Sequence, residues 1–476
     1  MSRGINAIQE KSTPLSVSRT AGTYPAYIGQ APIWQIDDPD WQDKAGKLYL
    51  VTSIDQMRRE IGYYEPESGA WGKDTSLCAA AAYHCKVQRV VPLIVLVNAA
   101  RITVSEDTTS KEVNLAAGET AKFNTPYIVT SEVTVTKTDA NLVKGTDYTV
   151  QYDDEGRNLI VTALKDTMKG ANVNYKVVET GSLRFEKDTL AELDFVEQDL
   201  GYIPDTVCAP LWDTELADAI MTIAEGQINA HWYTQGYIQL AGEDMAAAEE
   251  AAKTVKSAKV KKLWPCVEVS KLIYPAAVVY MAVKETVDAQ NGGVPYVSAS
   301  NTQVSIDRLC TASGATIRLN QKNANDLNDK GIATFNFSDM AWVTWGVCMA
   351  NYTEEGRGTI SPDELNDVAV QMRDYVSNLF QHDYAQAIDK PMSVRDANDI
   401  VTGFQNTLDV MVSNGQLIYA KVEFKEDENS TADLASGDFT FNVAETNTPL
   451  KKSITAKIRY DAAALADSFS ESEVEG

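Results

Sequence analysis

Histidine is scarce in this chain: His84, His231 and His382 are the only three in 476 residues. None has a second ligand-type residue at metal-binding spacing. His382 adjoins Asp383, but no third group accompanies the pair. A Gly-x-Ser-x-Gly elbow, a P-loop, a Gly-x-Gly-x-x-Gly fingerprint and a His-Glu-x-x-His pair are all missing. The six cysteines (Cys78, Cys85, Cys208, Cys266, Cys310 and Cys348) are scattered, with no Cys-x-x-Cys, so reduced, buried thiols are expected. Cys85 reads as a core cysteine in an Ala-rich helix, next to a partly exposed His84. No catalytic residue, cofactor site or metal site emerges, and the chain is not expected to be an enzyme.

Positive charge is also in short supply. Against 67 acidic residues stand 42 basic ones, a formal charge of −25. Such a surface repels nucleic acid and anionic membranes, so neither is expected as a partner. Long apolar runs are lacking as well. Val90–Val97 and Ile273–Val283 are the longest, too short to span a bilayer, so direct membrane insertion is not expected. Residues 1–19 hold Arg3, Glu10, Lys11 and Arg19 with no apolar run between them. They do not read as a secretory signal, and cytoplasmic synthesis is expected. The acidic clusters Asp37-Asp38-Pro39-Asp40 and Asp153-Asp154-Glu155 lack calcium-loop spacing and read as solvated turns.

What is present is a soluble, multi-domain pattern of helices and strands, with 44% apolar and 23% charged residues. From Tyr24 the order is strand Pro25–Gly29, strand Leu48–Thr52, a helix capped by Ser53 and closed at Gly62, an Ala-rich helix from about Thr75, and strand Val90–Val97. Strands that are apolar throughout, separated by helices, imply a parallel or mixed sheet covered on both faces. Between about residues 101 and 183 the texture turns Thr-, Val- and Tyr-rich, with period-2 alternation and no good helix. This predicts a small all-β insert. Helix–strand alternation then resumes, with helices predicted from Thr189, Asp213, Asp244 and Ala276 and strands at Thr206–Ala209 and Val260–Trp264.

The last hundred residues read as two helices, two strands and an arm. Ser361-Pro362-Asp363-Glu364 predicts the first helix start, with Ser361 as cap and Leu365, Val368, Met372, Val376 and Leu379 as its apolar stripe. Ser393 predicts the second, carrying Ala397, Val401, Phe404, Leu408 and Met411 and ending at Asn414-Gly415. Strands follow with Ile418, Ala420, Val422 and Phe424, and with Phe439, Phe441 and Val443. After Pro449, Ile454, Ala456, Ile458 and Tyr460 alternate with polar residues. That segment is either a third strand of the same sheet or a strand that pairs outside its own subunit. Residues beyond Asp467 read as a loose acidic end, and Leu15-Ser16-Val17 as a short alternation in an N-terminal arm.

Taken in order, these short motifs resemble the contractile phage tail sheath proteins. The likeness is carried by Tyr27-Ile28-Gly29-Gln30-Ala31, Leu50-Val51-Thr52-Ser53, Ile61-Gly62, Ser76-Leu77 and the strand Val90–Val97. Lys144-Gly145-Thr146-Asp147-Tyr148 and Val173-Asn174-Tyr175 lie in the insert. Trp264-Pro265, Tyr274-Pro275-Ala276-Ala277, Asp288, Gly292-Gly293 with Pro295, Ser300-Asn301, Leu327–Ile332 and Trp345-Gly346 follow. Ile388–Pro391, Asn414-Gly415, Asn429-Ser430-Thr431 and Ser436-Gly437 complete the order. Val347-Cys348 stands where many sheaths have an arginine after Trp-Gly. The resemblance implies a sheath core, mixed α/β, with an inserted small all-β domain and extended N- and C-terminal arms. The implied division is an arm at 1–22; an α/β middle domain at 23–99 and 184–350; an outer β domain at 100–183; a C-terminal α/β domain facing an inner tube at 351–452; and a strand arm with an acidic end at 453–476. It implies a helical homo-oligomer of stacked rings around an inner tail tube protein, meeting baseplate and tail terminator proteins, in the tail of a virion or phage-like particle assembled in the bacterial host cytoplasm. The arms at Leu15, Val17 and Ile454–Tyr460 are then inter-subunit strands, received by the Ile418–Phe424 and Phe439–Val443 strands. Another phage structural or host-surface interaction protein, or an acidic hydrolase, stays open as an alternative.

Overall fold

Strands that are apolar on both sides must be covered on both sides, and a nine-stranded mixed sheet does this here. The computed structural model describes residues 23–137, 140–181 and 183–465. Its central strands are β1 (Pro25–Gly29), β2 (Leu48–Val51), β3 (Leu93–Val97), β4 (Thr206–Cys208), β5 (Gln235–Gln239), β6 (Val260–Leu263), β7 (Gln303–Val304), β8 (Ile332–Ser338) and β9 (Ala341–Trp345). The order across the sheet is β7-β9-β8-β6-β5-β4-β1-β3-β2. The run from β8 through β3 is parallel, and antiparallel strands close it at both ends. The predicted mixed sheet is therefore found.

Helices cover its two faces. Ser53 caps α1 (Ile54–Glu60), its hydroxyl accepting from Gln56 N–H at 3.1 Å. α2 (Ser76–Ala82) runs on as a π-helical turn through Gln88, and α3 (Asp213–Glu225) follows β4. α4 (Ala276–Gln290) is buried almost throughout, with Val278, Val279, Tyr280 and Val283 inside the core. One apolar cluster joins α2 and α4 to one face, and the other joins α3 to the opposite face. β5 was not expected from the sequence; its Gln235 and Gln239 ends mask an inner Gly236-Tyr237-Ile238 that is buried between β4 and β6.

Between Thr103 and Glu179 the chain forms strands and two short 3-10 turns, with no α-helix among the described residues. Val135, Leu159, Val161, Met168 and Val173 form a core of its own. The first two longer strands there, Thr109–Asn114 and Thr120–Phe123, went unseen in the sequence. Only Val113 and Phe123 of them are buried, so no alternation marks them. A bracket built around Gln35 fastens this region to the sheet. Gln35 donates to Gly156 O (2.9 Å) and takes Thr130 Oγ1 on its own carbonyl (2.9 Å), while Trp34 Nε1 donates to Pro126 O (2.7 Å).

Candidate assembly surface

The residues singled out for chemistry do not converge. His84 is fully buried rather than partly exposed, and its neighbour Cys85 is the half-exposed one. The π-helical turn rotates the imidazole inward, where Nδ1–H donates to Val90 O (3.1 Å) and Nε2 accepts from Tyr27 O–H (2.7 Å). Burial lowers the His84 pKa to about 4 and raises that of Glu285, 3.4 Å away, to about 9, so both are neutral at pH 7. His231 and His382 lie on the surface, half exposed, with Glu197 and Asp383 as their respective neighbours. Asp153 closes a turn by accepting from Arg157 N–H and Asn158 N–H. Among the described residues no group of three or more His, Cys, Asp or Glu could hold a metal ion, and no helix is long and apolar enough to cross a membrane.

The C-terminal elements form a layer held on the sheet by a polar seam. α5 (Asp367–Tyr384) starts with Asn366 as its cap, accepting from Ala369 N–H at 3.0 Å. The predicted cap at Ser361 is thus five residues early. Ser361 spends its hydroxyl on Asp363, which also pairs with Arg373, and Pro362–Glu364 make only a 3-10 turn. The first residue of α5, Asp367, accepts from Lys261 Nζ of β6 (2.7 Å) and from Ser298 Oγ (2.8 Å), with both charged side chains buried. Further along the helix, Gln371 donates to Gln235 (3.0 Å), Asp374 pairs with Lys259, and Asn378 bonds the backbone of Tyr233 in both directions at 2.9 Å. Burial raises the Asp374 pKa against the pull of Lys259.

α6 (Val394–Ser413) begins where predicted. Ser393 and Asp396 form a reciprocal capping box. Phe404, Leu408 and Met411 of α6 close on Val368, Met372 and Val376 of α5 and on Val422. Under them lies a two-stranded antiparallel sheet, β10 (Leu417–Glu423) with β11 (Asn442–Asn447). β11 begins three residues later than predicted and contains Val443 but neither Phe439 nor Phe441. Thr440 is instead held by Asn429, whose amide bonds its N–H (2.8 Å) and its C=O (2.9 Å), so that its backbone groups are taken by a side chain before the strand begins. Phe424 falls just past β10 and packs at a tilt against Phe441, 5.2 Å between centroids.

Among the described residues, Ile454–Tyr460 pairs with no strand of its own chain. Ile454, Ile458 and Tyr460 are 83%, 95% and 74% exposed. The root of this segment is fixed, since Lys452 Nζ bonds Tyr352 O–H at 3.0 Å and lies over its ring. Three large apolar side chains facing solvent from a period-2 stretch are unfavourable in an isolated subunit. Leu15, Val17 and the acidic end beyond Asp467 lie outside the described residues.

No protein-family model matches the chain, and no curated protein is similar to it in sequence. Solved structures similar to it in fold over nearly its whole length include the following two. One is a chain from the cryo-EM structure of the anti-feeding prophage baseplate (TM-score 0.58, 14% identity, 97% of this chain and 99% of that one). The other comes from the contracted-state sheath complex of an extracellular contractile injection system, PVC (TM-score 0.56, 11% identity, 98% and 99%). From β1 to the exposed arm, this chain shares the mixed, multi-domain fold of the chain in that contracted-state sheath complex.

Proposed function

We propose that this chain is the structural subunit of a contractile tail sheath. Copies stack as rings around an inner tail tube, between a baseplate and a terminator, and collapse of the lattice drives the tube through a target cell envelope. The particle is a phage tail or a phage-like injection device assembled in the bacterial host. The subunit divides into the middle, outer and C-terminal domains expected from the sequence, and the arms around Leu15-Val17 and Ile454–Tyr460 add strands to neighbouring copies. Strand addition suits such a lattice, because main-chain hydrogen bonds keep subunits linked while their bodies rotate about flexible arms.

The observation that carries this reading is an exposed, alternating segment with no partner among the described residues of its own chain, together with a sheet that stops at two strands. The chain-long likeness to a sheath complex in its contracted state supports it. Deleting residues 452–476 tests it. The truncated chain is expected to keep native circular dichroism and to sediment as a monomer under conditions where the full chain polymerises. Tubular polymers from the truncated chain would refute strand donation by this arm.

A further inference from the structure

The small C-terminal sheet has two outer edges, and they are not equivalent. On β10, the side-chain amide of Gln405 from α6 occupies the edge. Its Oε1 accepts from Val422 N–H (2.8 Å) and its Nε2 donates to Ala420 C=O (3.2 Å). Asp409, one turn along α6, accepts a second hydrogen bond from Nε2 (2.7 Å) and so fixes which way the amide faces. A carbonyl at one residue and an N–H two residues on, bonded to a single group, is the pattern one residue of a parallel strand makes opposite Lys421. The glutamine thus stands in for a piece of strand.

The same alternation shows what β11 offers. In the observed register Lys421 faces Ala444 and Val422 faces Val443. With Ala420 and Val422 turned outward on β10, Val443 and Glu445 turn their backbone groups outward on β11. Among the described residues no side chain bonds those groups. Beside them runs a groove lined by Arg373, Val376 and Phe380 of α5 and by Phe441, Val443 and Glu445. One carboxylate oxygen of Glu445 is buried there without a hydrogen-bond partner. The chain's own arm is anchored elsewhere by Lys452 at Tyr352.

We propose that Gln405 is an edge guard, closing β10 to strand addition so that segment Ile454–Tyr460 of a second copy adds to β11. The completed order is then β10-β11-arm, with Ile454, Ala456, Ile458 and Tyr460 over the helix-side groove and Lys457 on the open face. Gln405 is a positioning residue, and this inference rests on the strand-donation reading above.

Thiol cross-linking between two separately labelled copies tests both together. One copy carries Lys457→Cys. The other carries a cysteine on the open face of β11 (Ala444→Cys or Thr446→Cys) or of β10 (Tyr419→Cys or Lys421→Cys). The chain without added cysteine sets the background. Mixed, assembled and oxidised, the β11 pairs are expected to give covalent dimer at least about tenfold above the β10 pairs, since addition at β10 must first release two satisfied backbone groups. With Gln405→Ala, or with Gln405→Met, which preserves the chain length, the β10 pairs are expected to rise toward the β11 level. Dimer through β10 with Gln405 intact would overturn the edge assignment while leaving strand donation standing. A β10 yield unmoved by both Gln405 variants would overturn the guard role. Tubes in which neither edge cross-links would overturn strand donation itself.

Discussion

Replacing Asp367 with Asn tests how the C-terminal layer is held. Asp367 is the first residue of α5, and its carboxylate binds Lys261 at 2.7 Å and Ser298 at 2.8 Å, with side chains 4% and 1% exposed for Asp367 and Lys261. The asparagine keeps the shape but strands an ammonium group in a buried site, a change that costs about 3–5 kcal/mol. It also removes a negative charge from a helix N-terminus, for about 0.3–1 kcal/mol more. The midpoint of guanidinium unfolding should fall accordingly with little change in slope, and the melting temperature by roughly 10 °C, at about 2–4 °C per kcal/mol for a unit of this kind. The double variant Lys261→Met with Asp367→Leu removes both charges and should recover all but about 1 kcal/mol. A loss below about 1 kcal/mol in Asp367→Asn, or no recovery in the double variant, would refute the reasoning.

Glu285→Gln should flatten the pH dependence of stability. Burial raises the pKa of Glu285 from its ordinary 4.5 to about 9, so the folded chain retains a proton that the unfolded chain releases. That contribution is complete below pH 4.5 and is lost as the pH rises to about 9, at up to about 1.4 kcal/mol per pH unit. The variant should match the natural sequence near pH 5 and exceed it at pH 9 in urea unfolding; equal slopes against pH would count against a neutral, buried carboxyl. Gly156→Ala should loosen the insert, because the residue sits at φ +66° and an added Cβ would lie 1.7 Å from Tyr63 O. Faster proteolysis between residues 101 and 183, with the remainder resistant, is the expected result. Phe404→Ala should cost about 3–5 kcal/mol by opening the α5–α6 core, and Ser393→Ala only about 1 kcal/mol. Similar losses for the two would show that the core is not where this layer gets its stability.

Much of the fold was legible because it rests on local chemistry. The Ser393–Asp396 box, the Ser53 cap and the apolar strands Pro25–Gly29 and Leu93–Val97 each write their element into neighbouring residues. The errors fall where a distant partner decides. Ser361 looks like a cap until Asp363 turns to Arg373, ten residues further along the chain, and only a 3-10 turn results. Phe439 and Phe441 alternate like a strand, but the Asn429 side chain takes both backbone groups of the intervening Thr440. His84 is hidden by a π-helical turn that no sequence period announces. Of the candidate site, the arm's alternation could be read directly. The Gln405 plug could not, because it depends on β10 lying alongside α6.

Electron microscopy of the purified full-length chain puts the sheath reading to its most direct test. The expected result is hollow helical tubes of stacked rings, with a lumen wide enough to enclose a narrower protein tube. Discrete particles of fixed stoichiometry, under every condition that keeps the chain folded, would contradict it.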